Sequence, residues 1–198
     1  MHVTTRTHHH SARGRASLLL PCALALVLVG MFLVVHHRRS TVGGSGSEPP
    51  RPPVSRRIGD ARVRIPSDWQ PLAAIDGTET WGSRDHAHTV TVGTTESSIL
   101  PVAGVVATVV REATTQSGDT HADGAPEALE LHDAPAGDSA MLVRFRVDDA
   151  PGDEALRVTQ VWRRDARAGL DVVATWTSRD GTWPVRPAAE VPQLVASG

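Results

Sequence analysis

Apolar and polar positions divide the chain into unlike stretches. Residues 16–35, ASLLLPCALALVLVGMFLVV, are apolar without a single charge. Twenty residues is about the length of a helix that crosses a hydrocarbon core of roughly 30 Å. Residues 36–57 are polar and contain STVGGSGSEPPRPPVSRR, flexible in its Gly/Ser half and extended in its Pro half, which reads as a linker. From residue 58 onward the apolar positions come in short periodic runs. The expected organisation is a disordered head at 1–15, a transmembrane helix at 16–35, a linker at 36–57 and a soluble domain at 58–198.

Within that last region the period switches between two and 3.6. Val63 and Ile65 alternate with Arg62 and Arg64, which predicts a strand ending at Pro66, followed by a turn through Ser67, Asp68 and Trp69. Trp81 heads a short strand, and Val90 and Val92 alternate with Thr89 and Thr91 in another. Val102, Val106, Val109 and Ala113 then recur at helical spacing, with Ser98 placed as the cap and Pro101 in the first turn. The β-branched content opposes a helix, but length and stripe outweigh it. Leu129 and Leu131 mark a short strand. Three longer strands follow: Met141 to Val147, Leu156 to Trp162 and Leu170 to Trp176, expected to pair as an antiparallel meander. A short helix around Pro187 to Ala196 is expected to close the domain. Together these predict an α+β domain, an antiparallel sheet of about six strands covered by helices.

The flanks of the apolar run decide what kind of segment it is. A cleaved signal needs a short apolar core and a small-residue exit, yet Val34 and Val35 lead directly into His36, His37, Arg38 and Arg39. A lipid-modified cysteine would have to follow the run, whereas the lone Cys22 sits early within it. Arg13 and Arg15 before the run, with Arg38 and Arg39 after it, fit an uncleaved anchor at the plasma membrane. The arginines on the two sides nearly cancel, and the terminal amine tips the balance toward a cytoplasmic N-terminus. That orientation places the C-terminal domain outside the cytoplasm.

Charge sharpens this picture. All 20 basic residues are Arg, with no Lys, a bias of GC-rich coding as in actinobacteria. Residues 1–57 carry eight Arg and one Glu, whereas residues 58–198 carry 12 Arg and 21 Asp and Glu. The basic part can meet anionic headgroups. The acidic part is repelled by nucleic acid, which excludes DNA or RNA as its partner.

Candidate chemistry is sparse. His86 and His88, in Asp85-His86-Ala87-His88, would share one face of a strand and are the best candidate metal ligands, without an evident third. The stretch from Asp119 through His121 to Asp123 lies in a polar loop, and His8, His9 and His10 read as a solvated tail. Arg144, Arg146, Arg157 and Arg163 form a basic strip or pair with acids on neighbouring strands. Trp69, Trp81, Trp162 and Trp176 read as core, and Trp183 as exposed. No G-x-S-x-G, S-x-x-K, H-E-x-x-H, P-loop or dinucleotide glycine pattern occurs, which points away from an enzyme.

A strand ending in Pro66-Ser67-Asp68-Trp69, a hairpin, a helix, a meander carrying Gln160-x-Trp162 and a closing helix resemble the Mog1/PsbP-like α/β/α sandwich. Within it, the C-terminal domain of the type VII secretion-associated protein family is similar in arrangement, following a single span and a Pro/Gly linker. The resemblance rests on Ala61–Trp69, Ala136–Val147 and Leu156–Trp176. It implies an accessory role at the cell envelope and carries no catalytic residues or cofactor. The expected function is a single-pass, membrane-anchored, extracytoplasmic domain that binds or scaffolds a protein partner of the envelope through a sheet edge or an acidic face. The alternative is an anchored domain for a small ligand, a lipid or a metal held by His86 and His88.

Overall fold

A computed structural model describes residues 52–58, 61–75, 78–116, 118–132, 134–148, 155–179 and 192–194. The head, the predicted span with Arg13, Arg15, Arg38 and Arg39, and most of the predicted linker lie outside the described residues. Among the described residues, no helix is long and apolar enough to cross a membrane.

The described residues form eleven strands and one helix, in chain order: β1 (Pro53–Ile58), β2 (Ala61–Pro66), β3 (Gln70–Ile75), β4 (Thr78–Gly82), β5 (His88–Glu96), α1 (Val102–Gln116), β6 (Thr120–Ala122), β7 (Glu127–Leu129), β8 (Ser139–Val147), β9 (Leu156–Asp165), β10 (Leu170–Ser178) and β11 (Gln193–Leu194). The larger sheet has eight strands in the order β3-β4-β5-β10-β9-β8-β6, with β7 also paired to β8. All its pairings are antiparallel. The predicted meander is its centre: β8, β9 and β10 pair along their whole lengths.

Alternation explains why the sheet is covered on both faces. On one face Val143, Phe145, Val158, Trp162 and Val173 pack against the stripe Val102, Val106, Val109 and Ala113 of α1. The buried positions of α1 are those four, so tertiary burial holds the helix despite its valines and threonines. Thr108 and Thr114 turn their hydroxyls back to the carbonyls of Gly104 and Val110, which satisfies them within the helix. The Pro101 carbonyl accepts the first turn's N–H groups from Gly104 and Val105. Ser98 is not the cap: its Oγ accepts the N–H of Leu100 in the preceding turn.

The other face is covered by a second sheet, order β1-β2-β11. Ala61, Val63 and Ile65, each at most 2% exposed, face Val90, Val92, Val161, Val172, Ala174 and Trp176. Arg56 of β1 reaches across the seam, its guanidinium 5.0 Å from the Trp81 ring centre and donating to the Ser67 carbonyl. That contact ties the turn after β2 to the larger sheet.

Three expectations are corrected. The larger sheet holds eight strands, not about six: β7 matches the short strand expected at Leu129, whereas the three-residue β6 lies in the stretch read as a polar loop and is too short to show a period. The second cover is a small sheet rather than a helix: Gln193 and Leu194 pair with Arg62 and Ala61 as a strand, within the stretch predicted as a closing helix. The rest of that stretch, with Trp183, lies outside the described residues. Finally, β1 begins at Pro53, inside the predicted linker, where Val54, Arg56 and Ile58 alternate with Ser55 and Arg57.

Gly82 marks a close approach of β3, β4 and β5. A Cβ there would meet Leu72 Cδ1 at 2.7 Å and the His88 carbonyl oxygen at 2.9 Å. The second atom is backbone and cannot step aside. Gly82→Ala is expected to destabilise the domain by about 1–3 kcal/mol, read by chemical denaturation.

Candidate functional site

The loop joining β5 to α1 carries two apolar side chains with no place in the core. Ile99 is 96% exposed and Leu100 is 43% exposed; among the described residues the other exposed large apolar side chain is Val54, at 37%. Both lie outside the helical stripe, which starts at Val102. A flexible loop would fold such side chains down, so the question is what holds them out.

The answer is a buried carboxylate. Asp171, 2% exposed, stands opposite Arg164 in the β9–β10 ladder. The Arg164 guanidinium donates to it bidentately, Nε to Oδ1 at 2.8 Å and Nη2 to Oδ2 at 2.8 Å. Ser97 donates its hydroxyl to the same Oδ1 at 2.8 Å. The remaining Arg164 nitrogen, Nη1, donates to the Leu100 carbonyl at 2.7 Å. The Ser97 N–H donates to the Gly169 carbonyl, binding the loop to the β9–β10 hairpin. That hairpin closes with Gly169 at φ 65°, a left-handed conformation that suits glycine. The hydrogen bonds from Arg164 to Asp171 raise the guanidinium pKa above its already high value, outweighing the opposite effect of burial. An exposed ion pair contributes little, but a desolvated bidentate one fixes geometry. The sheet thus presents Ile99 and Leu100 on a rigid mount.

The mount lies far from where the chain enters the domain. Arg56 and Pro53 sit toward the Trp81 and Ser178 end of the strands, whereas Ser97 and Gly169 sit at the opposite end. The nine residues of β10 separate the two ends by roughly 30 Å.

The predicted metal ligands are arranged differently from the sequence expectation. His88 opens β5, but His86 lies in the preceding turn at φ 58°, so the two do not share a strand face. That turn is organised by Ser83 and Asp85. The Ser83 hydroxyl donates to Asp85 Oδ1 at 2.6 Å and accepts the His88 N–H at 3.0 Å, and the Ala87 N–H also reaches Asp85. The Ser83 hydrogen bond is the main reason the Asp85 carboxyl titrates below its ordinary range. His121 lies 3.5 Å from Asp148, which also receives Arg146. Among the described residues, no group of three or more His, Cys, Asp or Glu side chains is placed to hold a metal ion.

Three of the four arginines of the predicted strip lie beside acids. Arg144 lies 3.8 Å from Glu127 and Arg146 2.7 Å from Asp148. Arg163 lies 3.5 Å from the buried Asp138 and donates to the Pro192 carbonyl, joining the two sheets. Arg157 faces Arg146 in the β8–β9 register. Trp162 and Trp176 are core residues on opposite faces of the sheet, and Trp69 and Trp81 pack at its margin.

The larger sheet's edges are poorly suited to adding a strand. On β3, Pro71 lacks an N–H and the register shifts between Pro71 and Ala73. At the other end β6 and β7 are three residues each.

Sequence reasoning missed Ile99, Arg164 and Asp171. The available signal was the apolar pair Ile99-Leu100 lying between a strand and a helix yet outside both periodicities.

This architecture is similar to that of solved structures at low identity. The Ran-binding protein Mog1p of Saccharomyces cerevisiae matches with a TM-score of 0.45 and 13% identity, over 65% of this chain and 78% of that one. A Pseudomonas aeruginosa protein of unknown function matches with a TM-score of 0.36 and 18% identity, over 69% of this chain and 99% of that one. No family model matches the chain. No curated protein matches it either.

Proposed function

We propose that the protein is a single-pass, membrane-anchored domain held outside the cytoplasm, where it binds or scaffolds a protein of the envelope, as an accessory to type VII secretion. The rigidly mounted Ile99 and Leu100 are the observation that supports this reading. An exposed apolar pair on a fixed backbone costs a partner little conformational entropy to engage, which is how small contact surfaces gain affinity. The apolar run at 16–35 supports the anchor, and the acidic composition of residues 58–198 supports a protein rather than a nucleic-acid partner.

Ile99→Ser tests the reading. With the side chain 96% exposed, the change is expected to leave stability within about 0.5 kcal/mol of the parent chain. Crosslinking in cells followed by co-purification should recover an envelope protein with the parent chain and lose it with the variant. Equal recovery from both would remove the tip from the account.

A further inference from the structure

The outward face of the small sheet concentrates positive charge on an otherwise acidic domain. Because Ala61, Val63 and Ile65 point inward, Arg62 and Arg64 point out, and both are exposed. In the β1–β2 register Arg57, also exposed, stands directly opposite Arg62, and Ser55 stands opposite Arg64. Arg57 and Arg62 are thus like charges placed directly across a strand pair. Between residues 52 and 66 the sequence holds four arginines and one acid, Asp60. The remainder of the domain runs the other way, with Asp and Glu in excess.

The position of this face matters as much as its charge. It belongs to β1 and β2, the first elements after the basic stretch containing Arg38, Arg39 and Arg51. It also lies on the opposite side of the larger sheet from α1.

We propose that the Arg57, Arg62 and Arg64 face docks on the anionic headgroups of the membrane that carries the anchor. This inference rests on the anchored reading given above. Docking there lays the small sheet toward the bilayer and leaves α1 facing away from it. Guanidinium groups engage phosphate bidentately, which suits this chemistry better than lysine would. Each arginine near an anionic surface contributes about fivefold to the docking equilibrium, so the three together contribute on the order of 100-fold.

The test uses the full chain with Cys22→Ser, reconstituted in vesicles of phosphatidylcholine alone or with added phosphatidylglycerol. A fluorophore at Ser55→Cys reports the small sheet, and one at Ala107→Cys reports α1, each against a headgroup acceptor. The expected result is strong energy transfer from position 55 only in the anionic vesicles, lost in high salt and lost in the triple variant Arg57→Gln, Arg62→Gln, Arg64→Gln. Equal transfer in both lipid compositions, or a triple variant identical to the parent, overturns the inference. So does a triple variant that loses a crosslinked acidic protein while its transfer stays the same. Extraction of the chain by alkaline carbonate would instead overturn the anchor, a separate result from the lipid dependence of docking.

Discussion

Asp171→Ala is expected to destabilise the domain by about 3–5 kcal/mol and to release the tip loop. The carboxylate is 3% exposed at its side chain and its partner Arg164 is 14% exposed, so removing the acid strands a nearly buried cation. Three hydrogen bonds go with it, two from Arg164 and one from Ser97. Nothing then fixes the Arg164 guanidinium, and its bond to the Leu100 carbonyl is weakened too. Denaturation measures the first effect. Hydrogen exchange at Ser97 and Leu100 measures the second, and it should rise well beyond exchange in β8. Joint replacement of Asp171 and Arg164 by apolar residues of similar size should recover much of the stability without restoring the loop, since a buried pair fixes geometry more than it stabilises. Stability and partner binding would then separate, which a purely structural pair would not produce.

Trp176→Ala is expected to cost about 3–5 kcal/mol, with no effect specific to the tip. Trp176 is 2% exposed and lies between the larger sheet and the cover formed by β1, β2 and β11. Its loss opens a cavity at the seam between the two sheets, and neither sheet can relax far because each is held by its own ladder. Denaturation followed by the fluorescence of the remaining tryptophans reads the change. A cost below about 1 kcal/mol would mean that the small sheet is not packed as described.

Much of the fold is legible in the sequence because its centre obeys simple periods. Met141 to Val147 and Leu170 to Trp176 carry an apolar residue at every second position, and the stripe from Val102 to Ala113 returns as the buried face of α1. What escapes the sequence does so for physical reasons. A three-residue strand such as β6 is too short to show alternation, and β11 is a strand only because β2 offers it an edge. Propensity near Gln193 and Leu194 is overridden by that pairing. The histidines mislead because His86 takes a left-handed turn conformation that no spacing rule announces. The mount for Ile99 depends on Asp171, which is 74 residues distant from Ser97, and such a contact has no local signature.

Two surfaces now divide the labour of the proposed role. The arginine face lies on the side of the larger sheet away from α1, and the apolar tip lies on the loop between β5 and α1.

Photo-crosslinking in intact cells from position 99 of the full chain tests the central claim most directly, with the exposed helix position Ala107 as the control. The account predicts a discrete adduct with one envelope protein from position 99, absent from position 107 and absent when Asp171 is replaced. The same adducts from both positions, or none from position 99, would contradict it.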